Sequence, residues 1–242
     1  MALADICDLR DAVARRILAS YGAIFVASPS VEVPPTCLFA DQHEVYAYQD
    51  STASDVALVT GVEARLQTAA MNALQLAVEA SAAAGRSITP RRADAATRSY
   101  EMTVDLWLSR VQPGLDHWHE RGRLSDADVA RISALPGARQ VREILAMEDR
   151  GLWCGTSLSR TILASVAAPG ASQHLSMLAL DVSEHGDRAV REILARYGWF
   201  QTVADDLPHF TFLGLAEASL PGVGLHRVMR GDRVYWVPDL DP

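Results

Sequence analysis

Two histidines and one aspartate constrain this chain more than anything else in it. His174, Asp181 and His209 form a nitrogen, oxygen, nitrogen set of the kind that holds zinc, and Asp206 lies three residues before the last histidine. His174 and Asp181 can meet at one ion only if the chain bends; the Ala168-Pro169-Gly170 turn and the strand after it offer such a bend. His209 would then come from the start of a neighbouring strand, and Asp206 would stand where it could take a proton from water at the metal. On spacing alone, two buried hydrogen-bonded histidines and an aspartate that caps a strand explain the same pattern.

Composition fits a core-forming globular protein: of 242 residues, 49% are apolar and 21% charged. The formal net charge is −8 and all 22 basic residues are arginine, spread along the chain without forming a stripe. That balance argues against a nucleic-acid partner, and the missing lysine reads as coding bias. Cys7, Cys37 and Cys154 are widely spaced and odd in number, so they suggest neither a disulfide framework nor a cysteine zinc site, and a reducing compartment is the default. No apolar run reaches the roughly 18 residues of a membrane span, and Asp5, Asp8, Arg10 and Asp11 interrupt any signal-like core, so the expected location is cytoplasmic, with export left open.

The order of elements predicts α+β: a small antiparallel sheet carrying the zinc site, packed with several helices. An amphipathic helix is expected over 3–20, strands over 23–28 and 44–49, and a long helix over 62–84 stopped by Gly85. A short extended piece follows at SITP, then a helix over 94–112 that Pro113 and Gly114 bend or end. Helical-hairpin material occupies about 115–150, with Ser125 as an N-cap. After it come a strand at 177–182, an amphipathic helix ending at Gly198, strands at WFQTV and HFTFLG, and a hairpin turning at Gly231-Asp232. Residues 1–58 read as an N-terminal subregion, and 59–242 as the main domain with the helical insertion inside it.

The letters around the three ligands carry a resemblance. Ser172-Gln173-His174, then Met177, Ala179 and Asp181, follow the pattern S-x-H-x-x-G-x-A-x-D after Ala168-Pro169-Gly170; Asp206-Leu207-Pro208-His209 follows E-x-W-H; Ala96-Thr97-Arg98-Ser99-Tyr100 follows S-G-Y-R-S-Y. These three ordered blocks resemble the zinc D-alanyl-D-alanine peptidases of the VanY carboxypeptidase and VanX dipeptidase type, whose fold is shared with the hedgehog signalling domain. The resemblance covers about 62–214. It implies zinc on His174, Asp181 and His209, Asp206 as catalytic base, and Arg98 facing a scissile carbonyl or a substrate carboxylate. It further implies Ser172 as a substrate contact, and a peptide or peptidoglycan fragment as substrate. Departures from the pattern include Asp206 in place of glutamate, Met177 in place of glycine and Pro208 in place of tryptophan, and Thr103 stands where the third block, which continues as x-x-Q, has glutamine. A zinc-binding protein of this fold with impaired catalysis is the alternative.

Other candidates are weaker. His117 and His119 are two apart, hence on different helix faces, and Asp205 competes with Asp206 for the role of base. His43, His185 and His226 have no partner at a useful spacing, and solvent exposure is expected. Ser157 and Ser159 lack a G-x-S-x-G elbow, Cys154 reads as a packing residue, and Trp107, Trp118 and Trp153 read as core. Arg91 and Arg92 form either a solvated turn or an anionic substrate rim.

Overall fold

A computed structural model describes residues 6–204 and 206–240. Helix α1 (Ala12–Tyr21) starts at Asp11, whose carboxylate accepts the Val13 N–H. Its expected beginning at residues 3–5 falls outside the described residues. The segment expected as a strand at 23–28 is instead a 3-10 turn, Gly22–Val26, and only Ser28 makes a strand-like contact, donating its N–H to the Leu213 carbonyl at 2.8 Å.

The second expected strand, 44–49, is also a correction: it lies in helix α2 (Gln42–Ser51). Its alternation fits a helix equally well, because Val45 and Tyr48 are three apart and bury one face. The cap decides: the Asp41 side chain accepts from the Glu44 N–H, while Glu44 reaches back to accept from the Ala40 N–H at 2.7 Å.

The expected helix over 62–84 is likewise two elements. Strand β2 (Val62–Gln67) pairs antiparallel with β1 (Ser54–Val59), and helix α3 (Thr68–Ala83) follows. A two-residue turn joins the strands, Thr60 at φ 46° and Gly61 at φ 87°, which is the positive-φ pair of a type I′ hairpin. Thr60, a β-branched residue in an unfavourable conformation, is held by a hydrogen bond from its hydroxyl to the Ile88 carbonyl.

Helix α4 (Tyr100–Glu120) continues through Pro113. At Gly114 it passes so close to Cys154 that a Cβ would lie 2.6 Å from Sγ, so the glycine is needed for the approach. Helices α5 (Asp126–Ser133) and α6 (Gly137–Glu148) form the hairpin expected near 115–150, with Ser125 and Asp128 completing a capping box. They pack with α1 and α4 around Trp107, Leu115, Ile132, Ile144 and Cys154. The Trp107 indole donates to Gln140 as a core tryptophan does, whereas Trp118, which donates to the Trp153 carbonyl, is only partly buried against this core, and Trp153 is partly buried outside it.

The central sheet is antiparallel in the order β3 (Ala179–Asp181), β5 (His209–Phe212), β4 (Trp199–Phe200). Helix α7 (Arg188–Arg196) precedes β4 and ends before Gly198, at φ 80°. Strand alternation gives the sheet two unlike faces. Leu180, Trp199, Phe210 and Phe212 join Met71, Leu74, Val190 and Ile193 in a core against α3 and α7. Each such large apolar side chain contributes roughly 1.5–3 kcal/mol on burial. Asp181, His209 and Thr211 occupy the opposite face. A terminal hairpin, β6 (Leu225–Arg230) and β7 (Arg233–Pro238), turns at Gly231-Asp232 as expected, with Gly231 at φ 62°. The fold is therefore α+β.

Residues 6–58 share these cores: Ile17 and Tyr21 pack among the helices, Ile24 against the sheet, and Phe39, Val45 and Tyr48 around Leu175. Cys7 and Cys37 form a disulfide, with Cα atoms 5.4 Å apart, which corrects the expectation of unpaired cysteines. Their spacing of 30 residues carried no signal of the pairing, because the irregular segment after the 3-10 turn brings them together. Cys154 is the buried free thiol, and burial pushes it up to about 12, consistent with packing.

Candidate metal centre

His174 sits in a 3-10 turn (Gln173–Ser176), which Met177 ends at φ 59° and ψ 28°. This left-handed residue, together with the 3-10 turn, turns the chain into β3. The Ala168-Pro169-Gly170 turn instead anchors the approach: the Phe39 N–H donates to the Gly170 carbonyl at 3.1 Å, and the Gly170 N–H donates to the Thr103 hydroxyl at 3.4 Å. A Cβ on Gly170 would meet the Phe39 carbonyl oxygen at 2.1 Å, and the residue has φ 82°. Gly170→Ala is expected to cost about 2–5 kcal/mol, combining left-handed strain with overpacking against backbone, measurable as a fall in the denaturation midpoint.

Asp181 and His209 face each other directly across β3 and β5. Backbone bonds fix Asp181 on its other side too, its N–H donating to the Ala95 carbonyl and its carbonyl accepting from the Arg91 N–H. The result is a compact triangle. His174 Nε2 lies 3.4 Å from Asp181 Oδ1, His209 Nδ1 lies 3.4 Å from the same oxygen, and the two nitrogens are 3.2 Å apart. Ligands at about 2.0–2.1 Å around a tetrahedral zinc are about 3.3–3.4 Å from one another, so the triangle has the dimensions of one face of such a site.

The chemistry of the donors fits a cation. All three residues are buried, at 2%, 7% and 3% exposure for His174, Asp181 and His209. Nδ1 of His174 has no hydrogen-bond partner among the described residues, so the buried ring relies on what meets Nε2. Burial pushes His174 down to about 4, against the pull of Asp181, leaving it neutral and able to donate a lone pair. Burial alone would raise Asp181, but its contact with His174 holds it far below the usual carboxylate range and keeps it anionic. A set of two imidazoles and one carboxylate can hold a metal ion.

Arg98 binds the other carboxylate oxygen of Asp181 at 2.7 Å and approaches Asp94 at 3.4 Å. Its guanidinium thus orients a ligand, leaving Oδ1 for the centre. Ser172 is buried at the start of the 3-10 turn, and no hydrogen bond joins its hydroxyl to the three ligand residues among the described residues. Asp206 lies in the turn before β5, where its N–H donates to the Val203 carbonyl and its carbonyl receives the His209 N–H at 3.4 Å. Water reaches Asp206, yet the protein crowding its carboxyl raises its pKa; Asp181 adds to the rise, while His209, Arg98 and Arg91 oppose it. Contact with water limits this rise. Asp205, the competing base, lies outside the described residues.

Several neighbours escaped sequence reasoning. Gln173 Oε1 accepts from His209 Nε2 at 2.8 Å, and Thr211 and Thr202 extend that contact. Thr211 was legible as the residue two beyond His209 on one strand face; nothing marked Gln173. His185, expected at the surface, is partly buried, and its pKa is lowered by burial and then by Arg233, Arg91 and Arg191, with Asp206 opposing. His119 pairs with Asp126 at 2.8 Å away from the centre, as a helix-end histidine. Comparison of the chain with protein-family models, with curated proteins and with solved structures finds no match.

Proposed function

We propose that the chain is a zinc-dependent peptidase acting on a peptide with a free carboxylate, of the D-alanyl-D-alanine or peptidoglycan-fragment kind. The triangle of ligand atoms with sides of 3.2–3.4 Å carries the proposal. The three sequence blocks and the backbone at Met177 support the peptidase class: the pattern has glycine at this position, and here the residue adopts the left-handed conformation that glycine favours. Zinc in such a site supplies an acidified water and polarises the carbonyl under attack.

The chain's own groups do the rest. Arg98 holds Asp181 so that one oxygen points at the centre. Asp206 is the base: its carboxylate takes a proton from the attacking water and delivers it to the leaving amine nitrogen, a transfer that a raised pKa favours at neutral pH. The disulfide between Cys7 and Cys37 supports an oxidising compartment, where peptidoglycan peptides lie, in place of a cytoplasmic one. No helix among the described residues is long and apolar enough to cross a membrane.

The test is a panel of D-Ala-D-Ala dipeptides and peptidoglycan-type pentapeptides, assayed with zinc-loaded and chelator-treated protein. Release of terminal D-alanine by the loaded form, lost on chelation and restored by zinc, is the expected result. Stoichiometric zinc with an inert panel favours the second reading, a zinc protein of this fold with a binding role, to which the shortened side chain at Asp206 points. Absence of bound zinc overturns both.

A further inference from the structure

We infer that Gln173 is a positioning residue that fixes which nitrogen of His209 faces the metal centre. The hydrogen-bond pattern leaves one assignment. Gln173 Nε2 lies 2.8 Å from the main-chain carbonyl of Tyr21, which can only accept, so the amide nitrogen is on that side and Oε1 is on the other. Oε1 lies 2.8 Å from His209 Nε2 and can only accept, so Nε2 carries the ring proton. In the neutral ring Nδ1 is then a bare lone pair, and Nδ1 is the atom 3.4 Å from Asp181 Oδ1 and 3.2 Å from His174 Nε2.

The alternative tautomer has a real competitor behind it. Asp181 Oδ1 is an anionic acceptor beside Nδ1, and without Gln173 it would draw the proton to Nδ1 and block the metal-facing lone pair. Two threonines reinforce the glutamine. Thr211 donates its one hydroxyl proton to Gln173 Oε1, so across the 2.6 Å contact between the threonines Thr202 is the donor. All of this network is buried: Gln173 is 2% exposed, and Thr202 and Thr211 are fully enclosed. A buried amide anchored on helix α1 therefore sets the electronic state of a strand residue 36 positions away, which gives the N-terminal region a part in building the centre.

The inference rests on the metal-site reading, but its first test needs no metal. Nitrogen-15 NMR of the metal-free, histidine-labelled protein is expected to show His209 protonated at Nε2, with Nδ1 bare. A ring protonated at Nδ1 overturns the proposal without any variant. In Gln173→Met, similar in length and without an acceptor, the proton is expected to shift towards Nδ1 and zinc affinity, measured by chelator competition, to fall about 10–100-fold, the usual effect of removing a metal ligand's hydrogen-bond partner. Gln173→Glu keeps an acceptor and is expected to keep the Nε2 tautomer. A folded Gln173→Met with the wild-type tautomer and affinity sinks the inference. Wild-type protein that binds no zinc instead defeats the metal reading and leaves the tautomer result standing.

Discussion

Replacing His174 with alanine is expected to abolish stoichiometric zinc binding. Loss of a direct ligand should weaken affinity by more than the roughly 10–100-fold typical of losing a supporting residue, because Asp181 and His209 alone cannot complete a three-ligand site. Metal analysis of the dialysed variant beside wild type measures this. The same variant tests the protonation state of the centre. His174 is held down to about 4 by burial, below its ordinary 6.5. Between those values the unfolded chain binds a proton that the folded chain refuses, so metal-free wild type should lose stability as pH falls from about 6.5 towards 4, by about 3 kcal/mol in all. His174→Ala should flatten that slope, whatever cavity it leaves. Asp181, lowered by its contact with His174, adds a further loss at more acid pH, below its ordinary 3.8. A variant that retains zinc, or an unchanged slope, contradicts this picture of the site.

Asp206→Ala is expected to lower kcat by about 100- to 10,000-fold while zinc stays bound, since the residue moves protons and is not a ligand. The pH profile gives a second reading of the same role. A base works deprotonated, so a raised carboxyl pKa moves the acid limb of the rate profile upward from the ordinary 3.8. Asp206→Asn should remove that limb. Asp206→Glu restores the longer side chain of the resembled pattern and moves the carboxylate by about an ångström, a displacement that can alter rates roughly 100-fold. Full activity in Asp206→Ala would assign the base elsewhere in the turn.

How much of this was legible in advance depended on whether a local signal had competition. The Ser125 cap, the Gly198 helix end and the Gly231-Asp232 hairpin were readable because each rests on a few neighbouring residues. The two early strands were misread for the opposite reason: 44–49 fits both periods, and only the exchange between Asp41 and Glu44 selects a helix. The Thr60-Gly61 turn was hidden by an unusual threonine at positive φ, so β2 merged with the helix behind it. The disulfide depended on chain paths that no spacing encodes.

At the centre the division is sharper. The identities of His174, Asp181 and His209, and the carboxylate three residues upstream of the last, follow from the sequence, because ligand chemistry is a property of residue type. Their convergence is tertiary. It needed the left-handed turn at Met177, the register that sets Asp181 opposite His209, and the close seat of Gly170 on Phe39. Tertiary structure also turned Arg98 onto Asp181 and brought Gln173 to His209. The sequence names the atoms that can donate to a metal; which lone pairs point inward depends on hydrogen bonds between residues far apart in the chain, and only the folded backbone brings those together.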